Sequence, residues 1–155
     1  MSARNEASSV ASADRMLVIT RLLSAPPALV FQAWTDPARM MKWFAPEGLA
    51  TPQAECDLRV GGRYRVLMRE PDGVEHDVSG EYLEIIPDRK LVFTWAWRNS
   101  PEIVSLVTVE LEPAGKATQL TLRHERLADV ESRDSHNSGW STALNKLENL
   151  VAGAS

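Results

Sequence analysis

From Gln53 the chain alternates apolar and polar residues through about 75 residues, and then the period changes once, at Gly139, to that of a helix. Tyr64, Val66 and Met68 fall on one phase, and Arg63, Arg65 and Arg69 on the other. Ala54, Cys56, Leu58 and Val60 alternate in the same way with Gln53, Glu55, Asp57 and Arg59. Further on, Leu91, Phe93, Trp95 and Trp97 share a face, as do Val107, Val109 and Leu111, and Leu120, Leu122 and His124. Each run describes a strand that buries one side and wets the other. The connections are short, so neighbouring strands pair antiparallel. Trp140, Leu144, Leu147 and Val151 then recur at i, i+4, i+7 and i+11, one stripe of an amphipathic helix. A meander with a single apolar face needs a cover, and this helix has a single apolar stripe to offer. The sheet is therefore expected to bend around it.

The remaining elements frame that arrangement. Arg15 to Leu23 reads as a first strand, rich in β-branched and apolar residues. Pro26 and Pro27 open a short helix. Asp36 as N-cap and Pro37 as first residue open another, which Pro46 and Gly48 close. Pro71-Asp72-Gly73 has the composition of a tight hairpin turn. The strand from Val74 to Ile86 changes phase near Leu83 and Ile85, which predicts a bulge. Gly80 sits on its inner phase, where the missing side chain permits a sharp bend or a close approach. The expected fold is α+β: a curved antiparallel sheet of about seven strands around a long C-terminal helix, with two short helices after strand one. Residues 1–14 are expected to form a mobile tail and 15–152 a single domain.

Composition excludes several function classes. A length of 155 residues suits one domain. A net charge of -4 disfavours nucleic acid, whose binding proteins concentrate Lys and Arg. No apolar run reaches the ~18 residues of a membrane span, and the first fourteen residues lack the apolar stretch of a signal peptide. The lone Cys56 excludes an internal disulfide and fits a reducing compartment, so a cytoplasmic location is expected. Three separated His and one Cys give no metal-ligand spacing. No phosphate loop or nucleophile elbow occurs, so no cofactor and no metal are expected. Asp134-Ser135-His136 holds triad residue types, but neighbours in a polar stretch seldom adopt triad geometry; His136 is expected to be solvated.

Taken in order, VFQAWTDP, KWFAPEG, DLRVGGRYRVLMREPDG, SGEYLEIIPDRKLVFTW and the Gly139-Trp140 helix start resemble the START-like helix-grip superfamily, and within it the AHSA type, the activator of heat-shock-protein-90 ATPase homologues. The resemblance runs from about Arg15 to Val151. It implies a helix-grip fold, typically with an apolar ligand held between sheet and helix. Relatives of this kind include lipid carriers, aromatase/cyclases and co-chaperones.

Five Trp against three Phe and two Tyr are the most informative composition feature. Inward-facing rings ordinarily fill a core. With the resemblance, a subset is expected to line a ligand space: Trp34, Trp43, Phe44, Met68, Phe93, Trp95 and Trp140, with Leu144 from the last helix. Tyr64, Tyr82, His76 and His124 are the candidate polar handles, His124 preferred. The leading expectation is a binder of a small apolar or aromatic molecule, working as a monomer or homodimer without a nucleic-acid partner. The alternatives are an aromatase/cyclase or hydrolase-type enzyme with His124 as acid/base, and a co-chaperone or stress-response accessory. Outward-facing Arg63, Arg65 and Arg69 oppose Glu75, Asp77 and Glu81, which reads as cross-strand pairing. Cys56 reads as a small buried hydrophobe.

Overall fold

The structure, a computed structural model, describes residues 14–154. The tail expected over residues 1–14 lies outside these except for Asp14, whose carboxylate sits 3.8 Å from the Arg133 guanidinium. The order of elements is β1 (Leu17–Leu23), α1 (Pro27–Thr35), α2 (Pro37–Trp43), β2 (Ala50–Cys56), β3 (Arg63–Arg69), β4 (Glu75–Ile86), β5 (Lys90–Trp97), β6 (Ser105–Ala114), β7 (Ala117–Glu125) and α3 (Val130–Ala154). All seven strands form one antiparallel sheet in the order β1-β7-β6-β5-β4-β3-β2. The α+β architecture read from the alternation is the one adopted.

Local chemistry explains the joints. Asp36 Oδ1 accepts from Ala38 N–H at 3.1 Å, capping α2 behind Pro37. The Pro71-Asp72-Gly73 turn is closed by Glu70 N–H to the Val74 carbonyl, 2.8 Å, and Asp72 Oδ1 takes Val74 N–H. The β4–β5 register shifts between Tyr82 and Glu84, where the apolar phase of the sequence flips. Gly80 pairs with Tyr64, and a Cβ there would stand 1.9 Å from the Thr94 carbonyl oxygen. The Tyr64 hydroxyl donates to that same carbonyl, so the ring crosses the bare backbone of Gly80.

Two boundaries differ from the sequence reading. β2 ends at Cys56, and Leu58 and Val60 are exposed in the loop that follows. Their alternation has no partner strand there, because the chain turns at Asp57–Gly62 to reach β3. The long helix begins at Val130, not at Gly139: Asp129 accepts from Ser132 N–H at 2.7 Å, and its carbonyl takes Arg133 N–H. This cap adds more than two turns of polar helix ahead of the apolar stripe. His136 is consequently a half-buried helical residue and not a solvated loop residue.

The core follows the two periods. Trp140, Leu144, Leu147 and Val151 of α3 are buried against Val107, Val109, Leu120 and Leu122 of the sheet. On the outer face Arg65 makes a bidentate pair with Asp77, with a shortest contact of 2.7 Å, and Arg69 meets Glu75 at 2.7 Å.

Candidate functional site

The sheet does not close on α3 along its whole length. Between the first half of α3, the 44–49 segment and the ends of β3, β4 and β5 lies a cleft of about 810 Å³. Its apolar floor and walls are Phe44, Leu49, Met68, Trp95, Trp97 and Trp140. Gly139 and Ala143, one turn apart on α3, present almost no side chain and leave the width open. The mouth is polar, with Arg65, His76, Asp77, Arg98 and Asn99. Arg98 is 81% exposed and lies 3.8 Å from Asp77. His76 Nε2 sits 2.7 Å from Glu70.

The rings meet in a continuous cluster. Phe44 stacks on Trp95 at a centroid distance of 6.1 Å and meets Trp140 edge-on at 5.6 Å. Trp95 contacts both Trp140, 5.1 Å, and Trp97, 5.4 Å. Such edge and tilted contacts suit the ring quadrupoles and hold the walls in place. Behind them the segment 46–49 is tied to α3: Glu47 N–H donates to Thr142 Oγ1, 2.9 Å, and Lys146 Nζ donates to the carbonyls of Pro46 and Leu49. Burial holds the Lys146 ammonium below its usual pKa.

Of the residues expected at a ligand site, Phe44, Met68, Trp95, Trp140 and His76 line the cleft. Trp34, Trp43, Phe93 and Leu144 instead pack in the core behind it. Trp34 touches Trp43 at 4.6 Å and Trp140 at 5.8 Å, and Trp43 Nε1 donates to the Ala33 carbonyl. Tyr64 and Tyr82 pack on Phe93. Burial raises the pKa of both phenols, so both stay protonated. Cys56 is half-buried, donates to the Thr35 carbonyl, and burial pushes its thiol pKa up, away from the thiolate.

His124 is fully buried behind Trp140. Its Nδ1 accepts from Trp140 Nε1–H at 3.0 Å. An indole only donates, so the ring proton is on Nε2 and is given to Ser105 Oγ, 2.7 Å away. Ser105 passes its own proton to the Trp95 carbonyl. Burial, with the neighbouring His136 adding to it, pushes the His124 pKa down to about 3. The ring fixes Trp140 in the wall and holds no acid/base position in the cleft.

His136, Trp97 and Gly139 complete the site. Trp97 shares the apolar phase of β5 and is legible as inward-facing; His136, expected to be solvated, reaches the cleft because the helix starts at Val130. Its Nε2 accepts from Trp97 Nε1–H at 3.1 Å, while Nδ1–H donates to the Ser132 carbonyl at 2.7 Å. Burial lowers its pKa, opposed by that carbonyl.

A seven-stranded antiparallel half-barrel gripping a C-terminal helix, open at one end to an aromatic cleft, defines the START-like helix-grip class. Members of this class commonly hold ligands in such a cavity. The chain belongs to the family described as Activator of Hsp90 ATPase homolog 1-like protein, whose profile matches residues 24–152. The crystal structure of the AHSA1 protein from Silicibacter pomeroyi is similar at 30% identity and a TM-score of 0.80, over 90% of this chain and 99% of that one. A protein from Chromobacterium violaceum matches at 29% identity and 0.80, covering 88% and 97%. One from Nitrosomonas europaea matches at 28% and 0.79, covering 92% and 97%. No curated protein matches the chain. No helix among the described residues is long and apolar enough to cross a membrane.

Proposed function

We propose that the protein binds a small apolar or aromatic molecule in the cleft between β3–β5 and the first half of α3. The observation that carries the reading is the 810 Å³ space walled by Phe44, Met68, Trp95, Trp97 and Trp140. Ligand sites are concave, mostly apolar, and carry a few polar groups at fixed positions. Here the polar groups gather at the mouth, so a guest enters body first. Burying ~300 Å² of apolar ligand surface at ~25 cal/mol per Å² gains about 7 kcal/mol gross. Immobilisation offsets part of it, which sets a micromolar scale. The lone thiol fits a reducing, cytoplasmic setting, and one copy of the chain supplies every wall.

The test is a titration with the uncharged dye N-phenyl-1-naphthylamine, with lipids, sterols and polycyclic aromatics as competitors. Binding is expected to brighten the dye, alter Trp emission and raise Tm by mass action. Silence in all three readouts across the panel refutes the reading.

The family description supports a second reading, stimulation of a chaperone ATPase. An unchanged Hsp90 ATPase rate at saturating protein refutes it. An acid/base role for His124 draws no support from the geometry, because Trp140 and Ser105 occupy both of its ring nitrogens.

A further inference from the structure

Two indole–imidazole bonds tie the sheet to the helix beside the cleft, and they run in opposite senses. Trp97 of β5 donates to His136 of α3, and Trp140 of α3 donates to His124 of β7. Both indoles line the cleft. An indole N–H has no lone pair to offer, so each bond exists only while the facing imidazole nitrogen is bare. A proton arriving on that nitrogen sets N–H against N–H, and the tie is lost. The two imidazoles lie 5.0 Å apart, so the second proton is disfavoured by the first. His124 is fully enclosed, whereas His136 stands in the cleft wall.

We propose that the cleft is proton-gated, with His136 as the sensor: protonation of its Nε2 releases the Trp97 indole, loosens β5 from α3, and lowers the affinity for an uncharged guest. The gate acts on the binding proposed above and rests on it. The surroundings of His136 favour a neutral ring at rest. β5 faces it with Trp95 and Trp97, which do not titrate, and β7 with His124. From its own helix the hydrogen-bond partners among the described residues are the Ser132 carbonyl and hydroxyl, and the neighbouring Arg133 is paired with Asp134 and Asp14. The nearby charges have partners of their own: Asp77 holds Arg65 and lies near Arg98, Glu75 holds Arg69, and Glu70 meets His76. No carboxylate is among the hydrogen-bond partners of His136 in the described residues. A guest that dries the wall deepens the preference for the neutral ring. By reciprocity, proton uptake then expels the guest.

The experiment uses the full chain and N-phenyl-1-naphthylamine, whose diarylamine nitrogen does not titrate between about pH 5 and about pH 7.5, the window in which a histidine responds. Far-UV circular dichroism at each pH verifies that the helix is intact. The dye Kd is expected to rise several-fold on acidification, with a limiting slope of about tenfold per pH unit for a single linked proton. In imidazole NMR of the unmodified chain, saturating dye is expected to move the His136 midpoint to lower pH. His136→Gln is expected to lose the pH dependence whatever its affinity at neutral pH, and Trp97→Phe to raise the His136 midpoint. Dye affinity independent of pH, a midpoint unmoved by dye, or an acid response that survives in His136→Gln overturns the gate alone. Failure of the dye to bind at any pH overturns the gate and the ligand-binding reading together.

Discussion

The stability of this protein should fall steeply in mild acid, and one residue accounts for a measurable share of the fall. His124 has Trp140 donating to one ring nitrogen and Ser105 accepting from the other. Its pKa is about 3 when folded, against about 6.5 in an unfolded chain. The folded value is the depressed one, so the unfolded state binds more protons in between, and stability is lost as pH falls from about 6.5 towards about 3. At pH 5 the unfolded ring has gained about 1.5 pK units of protonation free energy, which is about 2 kcal/mol. Near pH 3 the loss approaches about 5 kcal/mol before it levels off. Urea unfolding followed by Trp emission at a series of pH values measures this directly. His124→Gln removes the titrating ring while keeping an amide to face Ser105 and Trp140. The variant is expected to be weaker near pH 7 by about 1–2 kcal/mol, from poorer hydrogen bonds. Its pH curve should be flatter, so that the gap between the two proteins closes on acidification by about 2 kcal/mol at pH 5. His136 lies 5.0 Å from His124, so the difference between the two proteins also includes the coupling between the two rings. Parallel curves would refute the assignment of a bare Nδ1 in a dry pocket.

Three further outcomes are expected. Gly80→Ala forces a methyl group to within 1.9 Å of the Thr94 carbonyl and against the Tyr64 ring; a loss of about 3 kcal/mol or more in thermal or urea unfolding is expected, and a neutral result would contradict the close crossing. Asp129→Ala removes the α3 cap, and a loss of about 1 kcal/mol with faster amide exchange over residues 130–136 is expected. Ala143→Leu places a branched chain on the helix side of the cleft, so dye affinity should fall at least about tenfold, while overpacking costs stability about 1–3 kcal/mol.

The fold was legible because its two halves speak in different periods. Alternation from β3 to β7 and the single stripe at Trp140, Leu144, Leu147 and Val151 each name their buried face, and the packed faces are those named. The bulge after Tyr82 and the bare backbone at Gly80 also showed in the pattern. The site was legible only in part. Phase tells which side of a strand is dry, but not whether protein or empty space lies opposite. Phe93 shares the inner phase of β5 with Trp95, yet it faces Trp34 of α1, which packs in turn on Trp43 of α2, and all three stay behind the cleft. His136 read as solvated because Glu131–Ser138 is polar throughout, and a helix held by a cap and a few contacts leaves no apolar stripe to read.

The division along α3 separates two kinds of position. Leu144, Leu147 and Val151 answer to the interior, so drift there is paid in folding yield. Ser135, His136, Gly139 and Ala143, on the same rod, border the open space, and under the binding proposed above a change of their bulk or polarity would alter the shape of that space before it unmade the scaffold. The proposed specificity would then be set by a few positions on one stretch of one helix, with the sheet left unchanged.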